Sequence, residues 1–407
     1  MKIAIFHNYI DNIGGAEMVA LTLAREFNAD VYTTNIDEDK IMKMGFSDVI
    51  PRIKSIGKVP SKAPFKQQLA LWRFRKLNLK NKYDFYVIAG DWSVSGAVKN
   101  SPSLWYAHGP MNEIWQWKDY VKKTLVKKWQ WPVYDIWVSI NRFLTRRYVK
   151  KVSILVCNSK NSQGRIKKFY KRDALIINPP IDTSKYTNRD INSNEASEKK
   201  QEYWLSVNRL ISAKRIEIQI DAFKKLADLA DLAKSEYKTS GELRDGINRK
   251  LIIVGSYEKG VKQFEGYRNI VENKIRESGA NIEIINWATD MELKKLYAEC
   301  TGFITTSMDE DFGMTVVEAM ASGKPVIAPD EGGYKESILN EKNGILVNDI
   351  NGENLAEAIR IIEKKLKVNK EQYVLPCQNR AKNFDVTNFV HKIRFEINNY
   401  KEYHNFK

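Results

Sequence analysis

Apolar residues enter this chain in two alternating ways. Short runs of four or five are separated by longer stretches in which apolar positions recur every three or four residues. The short runs in the first part are Lys2–Phe6, Asp30–Thr34, Phe85–Ala89, Leu104–Ala107, Ile154–Cys157 and Ala174–Ile177. They are too short for helices and rich in β-branched and aromatic residues, so they predict strands buried on both faces of a parallel sheet. Between the first two lie Gly14-Gly15 and a helical spacing of Ala16, Val19, Ala20 and Leu23. Strand, glycine loop, helix and strand in that order open a doubly wound α/β domain. Asn178-Pro179-Pro180 breaks the pattern, and residues 184–202 nearly lack large aliphatics, as a linker or surface loop does.

The pattern then restarts. Tyr203–Val207, Leu251–Val254, Ile282–Ile285, Gly302–Thr305, Pro325–Ala328 and Gly344–Val347 read as strands. Ile216–Leu229, Tyr267–Ser278, Met291–Cys300, Thr315–Ala321 and Asn354–Leu366 read as helices. Residues 233–249 are polar and read as a surface insertion. A long amphipathic helix follows at about Val386–Tyr403. The expected organisation is therefore α/β, with two doubly wound, Rossmann-like domains: 1–182, a linker at 183–202, and 203–384.

Length agrees, since 407 residues exceed one ordinary core and suit two. No run approaches eighteen apolar residues, so no transmembrane helix is expected, and MKIAIFHNYI reads as a buried strand rather than a secretory leader. Three distant cysteines, Cys157, Cys300 and Cys377, form no CxxC pair and suit a reducing cytoplasm. Charge changes the picture more. Between Pro51 and Leu175 there are 27 Lys/Arg against 6 Asp/Glu, an excess larger than the +16 of the whole chain. A one-sided basic half implies an anionic partner such as membrane lipid, polyphosphate or nucleic acid.

The candidate chemistry concentrates between Asp309 and Gly323. Gly313 follows a strand and opens a helix, so backbone can approach a ligand there and the first-turn amides face an anion. Glu318 sits about one turn into that helix, where it can accept from ribose hydroxyls; Glu310 precedes the turn and can reach a sugar. Singly, a glutamate early in a helix is more often a cap or a helix-dipole partner.

Together, Glu310-Asp311-Phe312-Gly313-Met314-Thr315-Val316-Val317-Glu318 and the Ala-Met-Ala-Ser-Gly-Lys-Pro-Val that follows resemble the donor motif of the retaining group-one glycosyltransferases. The resemblance runs along the chain in order: Gly14-Gly15-Ala16-Glu17, Tyr106-Ala107-His108, Asn158-Ser159 with Arg165-Ile166, Asn178-Pro179-Pro180-Ile181-Asp182, and Ser206-Val207-Asn208-Arg209-Leu210 with Lys214-Arg215. It implies a GT-B architecture, two domains facing a cleft, with the last helix (about 385–407) packing back on the first. It implies a first domain for the acceptor and a second for the nucleotide-sugar donor. By resemblance Arg209 and Lys214 hold the donor diphosphate without a metal, with Arg215 a rival for Lys214. Gly14 and Gly15 shape a loop facing the donor phosphates or the acceptor. His108 stands at the reaction centre, Glu310 on the transferred sugar and Glu318 on the ribose. Phe312, Gly313, Met314, Thr315, Gly255 and Trp287 complete the donor set. Trp287 reads equally as a base-stacking residue or as core, and Asn208 stands where a left-handed glycine is frequent. No cofactor or metal is implied, and anomeric retention is.

The aromatics Trp115, Trp117, Trp129, Trp131, Trp137, Tyr120, Tyr134 and Tyr148 lie among the cations of the basic half. Basic helices with Trp and Tyr suit an anionic membrane interface; solvated faces over core aromatics are the alternative. No nucleic-acid platform is visible. The resulting expectation is a glycosyltransferase acting from GDP-mannose or a UDP-sugar on a glycan or polyprenyl-linked acceptor, peripheral to the cytoplasmic membrane face, whose phosphate would favour basic surroundings in the first domain. A soluble sugar phosphate is the alternative acceptor. A nucleotide-sugar epimerase and a non-catalytic binding protein on the same fold are the rival classes.

Overall fold

The computed structural model describes residues 1–60, 65–187, 202–236, 249–256 and 262–405. Most of the expected linker and most of the expected insertion lie outside the described residues. The chain divides into two compact units, Met1–Pro180 with Val386–Lys407, and Ile181–Asp385.

The first unit is built on seven parallel strands: β1 (Ile3–Phe6), β2 (Asp30–Thr33), β3 (Ile53–Ser55), β4 (Phe85–Ile88), β5 (Ser103–Ala107), β6 (Ile154–Cys157) and β7 (Leu175–Ile176), in the order β3-β2-β1-β4-β5-β6-β7. Strands β1, β4, β5 and β6 are buried along their whole length, which is why they read as unbroken apolar runs. Val19, Leu23, Val31 and Val87 form one core face with Phe389, Ile393 and Ile397 of the helix Val386–Asn405. Phe6, Phe74, Tyr86 and Trp105 fill the other. The order reverses between β1 and β4, so loops leaving these two strands diverge and open a crevice at their carboxyl ends.

The second unit has six parallel strands: β8 (Tyr203–Arg209), β9 (Lys250–Ser256), β10 (Ile282–Ile285), β11 (Gly302–Ile304), β12 (Val326–Pro329) and β13 (Gly344–Val347), ordered β10-β9-β8-β11-β12-β13. Its switch point lies between β8 and β11. The helix Asp290–Glu299 starts with a full capping box, Thr289 and Glu292 exchanging side-chain and backbone hydrogen bonds.

Several elements were not foreseen, among them the helices Glu38–Lys43 and Lys160–Tyr170. Strand β3 is an edge strand with only Ile53 half-buried, so it carries no apolar run. The helix Val374–Lys382 contains Pro376, and proline in the first turn costs no hydrogen bond.

The basic segment differs from the expectation. Trp115 and Tyr148 are buried, and Tyr134 and Trp137 are half-buried and stacked at 5.9 Å. Of the eight aromatics, only Tyr120 and Trp129 are exposed. Composition shows that aromatics and cations share a segment but not which face each occupies, and half of these rings, Trp115, Tyr134, Trp137 and Tyr148, pack in or against the core. Among the described residues no helix is long and apolar enough to cross a membrane.

Candidate functional site

The switch point of the second unit gathers most of the donor candidates. Strand β8 ends at Arg209, and the chain turns through a short 3₁₀ segment, Ser212–Lys214, to Arg215 in left-handed backbone (φ 48°). Thr306 Oγ1 donates to the Lys214 carbonyl at 2.7 Å, tying this turn to the loop leaving β11. Across that junction Lys214 Nζ lies 2.5 Å from Glu310 Oε2. Burial pushes the Glu310 carboxyl up, but Lys214, and more weakly Arg209, override it and hold the group below the usual range. Lys214 and Arg215 separate clearly. Arg215 turns away, pairing with Glu331 and donating to the carbonyls of Thr306 and Ser307. Lys214 is thus the cation set at the turn, with Arg209 exposed beside it.

Gly313 caps the helix Met314–Ala321 at φ 88°, in the left-handed region where a side chain is disfavoured. A Cβ there would come within 2.5 Å of Tyr334 Cε1. Tyr334 is buried under the turn, its hydroxyl 2.9 Å from Thr305 Oγ1. The Gly333 amide donates to the Glu310 carbonyl at 2.8 Å, bracing the loop from behind. The amides of Met314 and Thr315, in the first turn, have no intrahelical acceptor and suit an anion. The Phe312 ring is buried and packs edge-on to Phe384 at 5.2 Å, so its side chain supports the turn and only its backbone can face a ligand.

Glu318 follows one turn later. Tyr297 donates its hydroxyl to Glu318 Oε2 at 2.9 Å. Burial raises the Glu318 carboxyl to about 6, against the opposing Tyr297 and Tyr186 hydrogen bonds. Tyr186, on the short helix Ser184–Thr187, packs edge-on to Tyr297 at 5.6 Å.

The remaining donor candidates divide. Trp287 is 45% exposed just past β10, so it is not core filling. Gly255 is explained by packing, because a Cβ would meet Leu210 Cγ at 2.8 Å. Asn208 does not use left-handed backbone; it continues β8 opposite Gly255 and donates to Ser206 Oγ at 2.8 Å.

Gly14, Gly15 and His108 belong to the first unit and are described there alone. Gly14 caps the helix Gly15–Glu26 in extended backbone, and a Cβ on it would approach Glu17 Oε2 to 2.6 Å. The Glu17 carboxylate folds back over the loop, so a side chain at Gly14 would displace it. Glu17 Oε1 lies 3.9 Å from Nε2 of buried His7, whose Nδ1–H donates to the Ala89 carbonyl at 3.2 Å. Burial raises the Glu17 carboxyl, but His7 overrides it and the group lies below its ordinary value. His108 follows β5 with its ring edge-on to Tyr106 at 5.4 Å. Its Nε2 is buried without a hydrogen-bond partner among the described residues. Burial, reinforced by His7, lowers it to about 4, so the imidazole is neutral near neutral pH. An NMR titration is expected to show no protonation of His108 above about pH 5; a midpoint near the ordinary value of about 6.5 would contradict this environment.

These carboxyl ends are not the basic surroundings expected for a phosphate. Asp11, Glu17, Asp91 and Glu113 all act on Tyr9, and Asp11 is paired with Lys66 at 2.8 Å. The cations of this half lie largely on the helices after β5.

Residues 188–373, nearly all of the second unit, match the model of the family described as glycosyl transferases group 1. The second unit is thus similar to the group 1 glycosyl transferases. It is 26% identical over 315 residues to an α-1,3/1,6-mannosyltransferase, ALG2, of Dictyostelium discoideum, covering 72% of this chain and 71% of that one. Over a shorter stretch, 151 residues, it is 28% identical to mannosylfructose-phosphate synthase of Agrobacterium fabrum, covering 37% of this chain and 30% of that one. Among solved structures, Anabaena HepE in complex with UDP and glucose superposes with a TM-score of 0.70 at 19% identity, over 98% of this chain and 99% of that one. That likeness establishes the GT-B fold.

Sequence reading missed Tyr186, Tyr297, His7 and the Arg215–Glu331 pair. Tyr186 was the one signal within reach, an aromatic in an otherwise polar stretch. Glu318 carries a stability consequence. Its folded value lies above the unfolded one, so the native state holds more protons between about pH 4.5 and 6, and stability falls as pH rises through that window. Glu318→Gln is expected to stabilise the ligand-free protein by about 1–2 kcal/mol at pH 7 and to leave it nearly unchanged at pH 4. Thermal melts at the two pH values check it; equal shifts would contradict the buried carboxylate.

Proposed function

We propose that the chain is a group 1 glycosyltransferase that moves a hexose from a nucleotide-sugar to a lipid-linked glycan acceptor at the cytoplasmic membrane face, with retention at the anomeric carbon. The observation that carries the donor half is the Lys214–Glu310 pair at 2.5 Å beside the Gly313 turn, with Glu318 one turn further on. Lys214 and Arg209 supply positive charge where the departing nucleoside diphosphate gains negative charge, so the diphosphate can leave without a metal. The Met314 and Thr315 amides complete the phosphate cradle. Glu318, ionised above about pH 6, accepts from the ribose hydroxyls, and Glu310 from those of the transferred sugar. Neutral His108, with a free ring nitrogen, suits a hydrogen bond to a sugar hydroxyl. No carboxylate is set as a nucleophile in this reading; the acceptor attacks on the face the diphosphate leaves, and the diphosphate takes the proton.

Similarity to a mannosyltransferase over 72% of the chain favours GDP-mannose over UDP-sugars. The shorter similarity to a mannosylfructose-phosphate synthase supports a second reading with a soluble sugar-phosphate acceptor. The test is a transfer assay of the purified chain with UDP-, GDP- and ADP-sugars against lipid-linked glycans and sugar phosphates. Transfer from GDP-mannose to lipid-linked glycan, with the product anomer matching the donor, is the expected result. No turnover of any donor, or donor turnover to an epimer without acceptor, would overturn the proposal.

A further inference from the structure

The helix Trp131–Val149 is amphipathic in the wrong sense for its place. The side it buries holds Val138, Asn141, Thr145, Tyr148 and Val149, two of them polar. The opposite side exposes Val133, Ile136, Ile140 and Phe143, and Trp129 just before the helix continues the row. All five are between 52% and 74% exposed. Spacings of four, three, four and three put them on one stripe about 21 Å long. A monomeric soluble surface seldom leaves such a row uncovered.

The charge around the stripe selects the occupant. Lys123, Lys127 and Lys128 are exposed before it, Arg147, Lys150 and Lys151 after it. Arg147 reaches back over the Phe143 ring at 5.7 Å, burying its stem on the apolar row. From residue 120 to residue 172 the only acid is Asp135, and Lys118 and Lys122 already neutralise it at 2.8 and 2.5 Å. A second copy of the chain meeting this stripe by a twofold axis would set cations against cations. An acidic, weakly ordered, apolar-backed surface fits both features, because a bilayer takes the apolar row below the headgroups and the cations among the lipid phosphates.

We propose that the stripe Trp129–Phe143 is a docking surface for the interface of an anionic lipid bilayer, with the helix lying in the membrane plane. The purpose this gives it, bringing the chain to a lipid-borne acceptor, rests on the function proposed above; the docking itself does not. The helix differs from the aromatic interface expected from composition, since aliphatic residues and only two aromatic rings face outward.

Co-sedimentation of the full chain with phosphatidylcholine–phosphatidylglycerol vesicles and with pure phosphatidylcholine vesicles, at low and high salt, tests the proposal. Binding is expected to the anionic vesicles, weakened by salt. The Ile136→Ser/Ile140→Ser/Phe143→Ser variant is expected to lose at least about tenfold in partitioning at both salts, while its thermal shift with nucleoside diphosphates matches the parent and shows it folded. Absent binding of the parent, or unchanged binding of the variant, overturns the proposal. So does a dimer in sedimentation equilibrium that the same variant dissociates without vesicles. Nucleotide binding in these preparations reports on the donor site separately, so vesicle binding without nucleotide binding sinks the transferase reading and leaves the docking surface standing.

Discussion

Lys214→Ala is expected to lower kcat/KM by about 10²–10³-fold, roughly 3–4 kcal/mol of transition-state stabilisation. The loss should fall mainly on kcat, because charge on the leaving diphosphate grows between bound donor and transition state. The variant also has a signature without substrate. Lys214 is what draws the Glu310 carboxyl below its ordinary range against burial. In the parent the folded value is depressed, so the pair's contribution is present above the unfolded value and lost as pH falls through the folded one. Without Lys214, burial remains and the sign reverses: stability then declines as pH rises through the usual carboxylate range. Both partners are mostly buried, with side chains 16% and 27% exposed, so an uncompensated carboxylate there costs roughly 2–3 kcal/mol at pH 7. The stability gap between parent and Lys214→Ala should therefore be small near pH 4 and widen toward pH 7. Removing Glu310 as well should restore part of the pH 7 stability and none of the activity. A gap independent of pH would mean that the two groups are not paired in solution.

Gly313→Ala should combine a large loss of stability with loss of donor binding. Two costs add at one atom. The backbone at φ 88° is left-handed, which costs an L-residue about 1–2 kcal/mol. The new Cβ would also press on the Tyr334 ring, which is buried and hydrogen-bonded to Thr305 and so cannot swing aside freely. Together these amount to about 3 kcal/mol, or a Tm about 6–12 °C lower for a unit of this size. Any relaxation that relieves the clash tilts the Met314 and Thr315 amides, so affinity for a nucleoside diphosphate should drop even where the protein remains folded. Titration calorimetry below the lowered Tm checks this; unchanged affinity would remove the Gly313 turn from the phosphate site.

What could be read from the sequence follows from what each interaction depends on. Strands buried on both faces announce themselves, since nothing polar is tolerated on either side, and β1, β4, β5 and β6 were accordingly visible. Strand β3 sits at the edge with Lys54 and Ser55 exposed, so its pattern is indistinguishable from a loop. The Glu310-to-Glu318 stretch was legible because its chemistry is packed into nine consecutive residues. Its supports were not, because they arrive from elsewhere in the chain: Tyr297 is 21 residues from Glu318, Tyr334 is 21 from Gly313, and Lys214 is 96 from Glu310. Separation of Lys214 from Arg215 needed the left-handed backbone at Arg215, which no residue preference announces. The basic half misled for a different reason. Its helix Trp131–Val149 buries Asn141 and Thr145 and exposes Ile136 and Ile140, so any reading that assigns apolar positions to the core places the helix the wrong way round.

Hydrogen–deuterium exchange on the full chain, with and without saturating GDP-mannose and GDP, tests most directly whether the second unit holds the donor as described. The account predicts slowed exchange in two separate stretches, 209–216 and 306–320, with the Met314 and Thr315 amides among the most protected. Both effects should be absent in the Lys214→Ala/Glu318→Ala double variant. Protection confined to other segments, or protection at 306–320 that survives in the double variant, would contradict it.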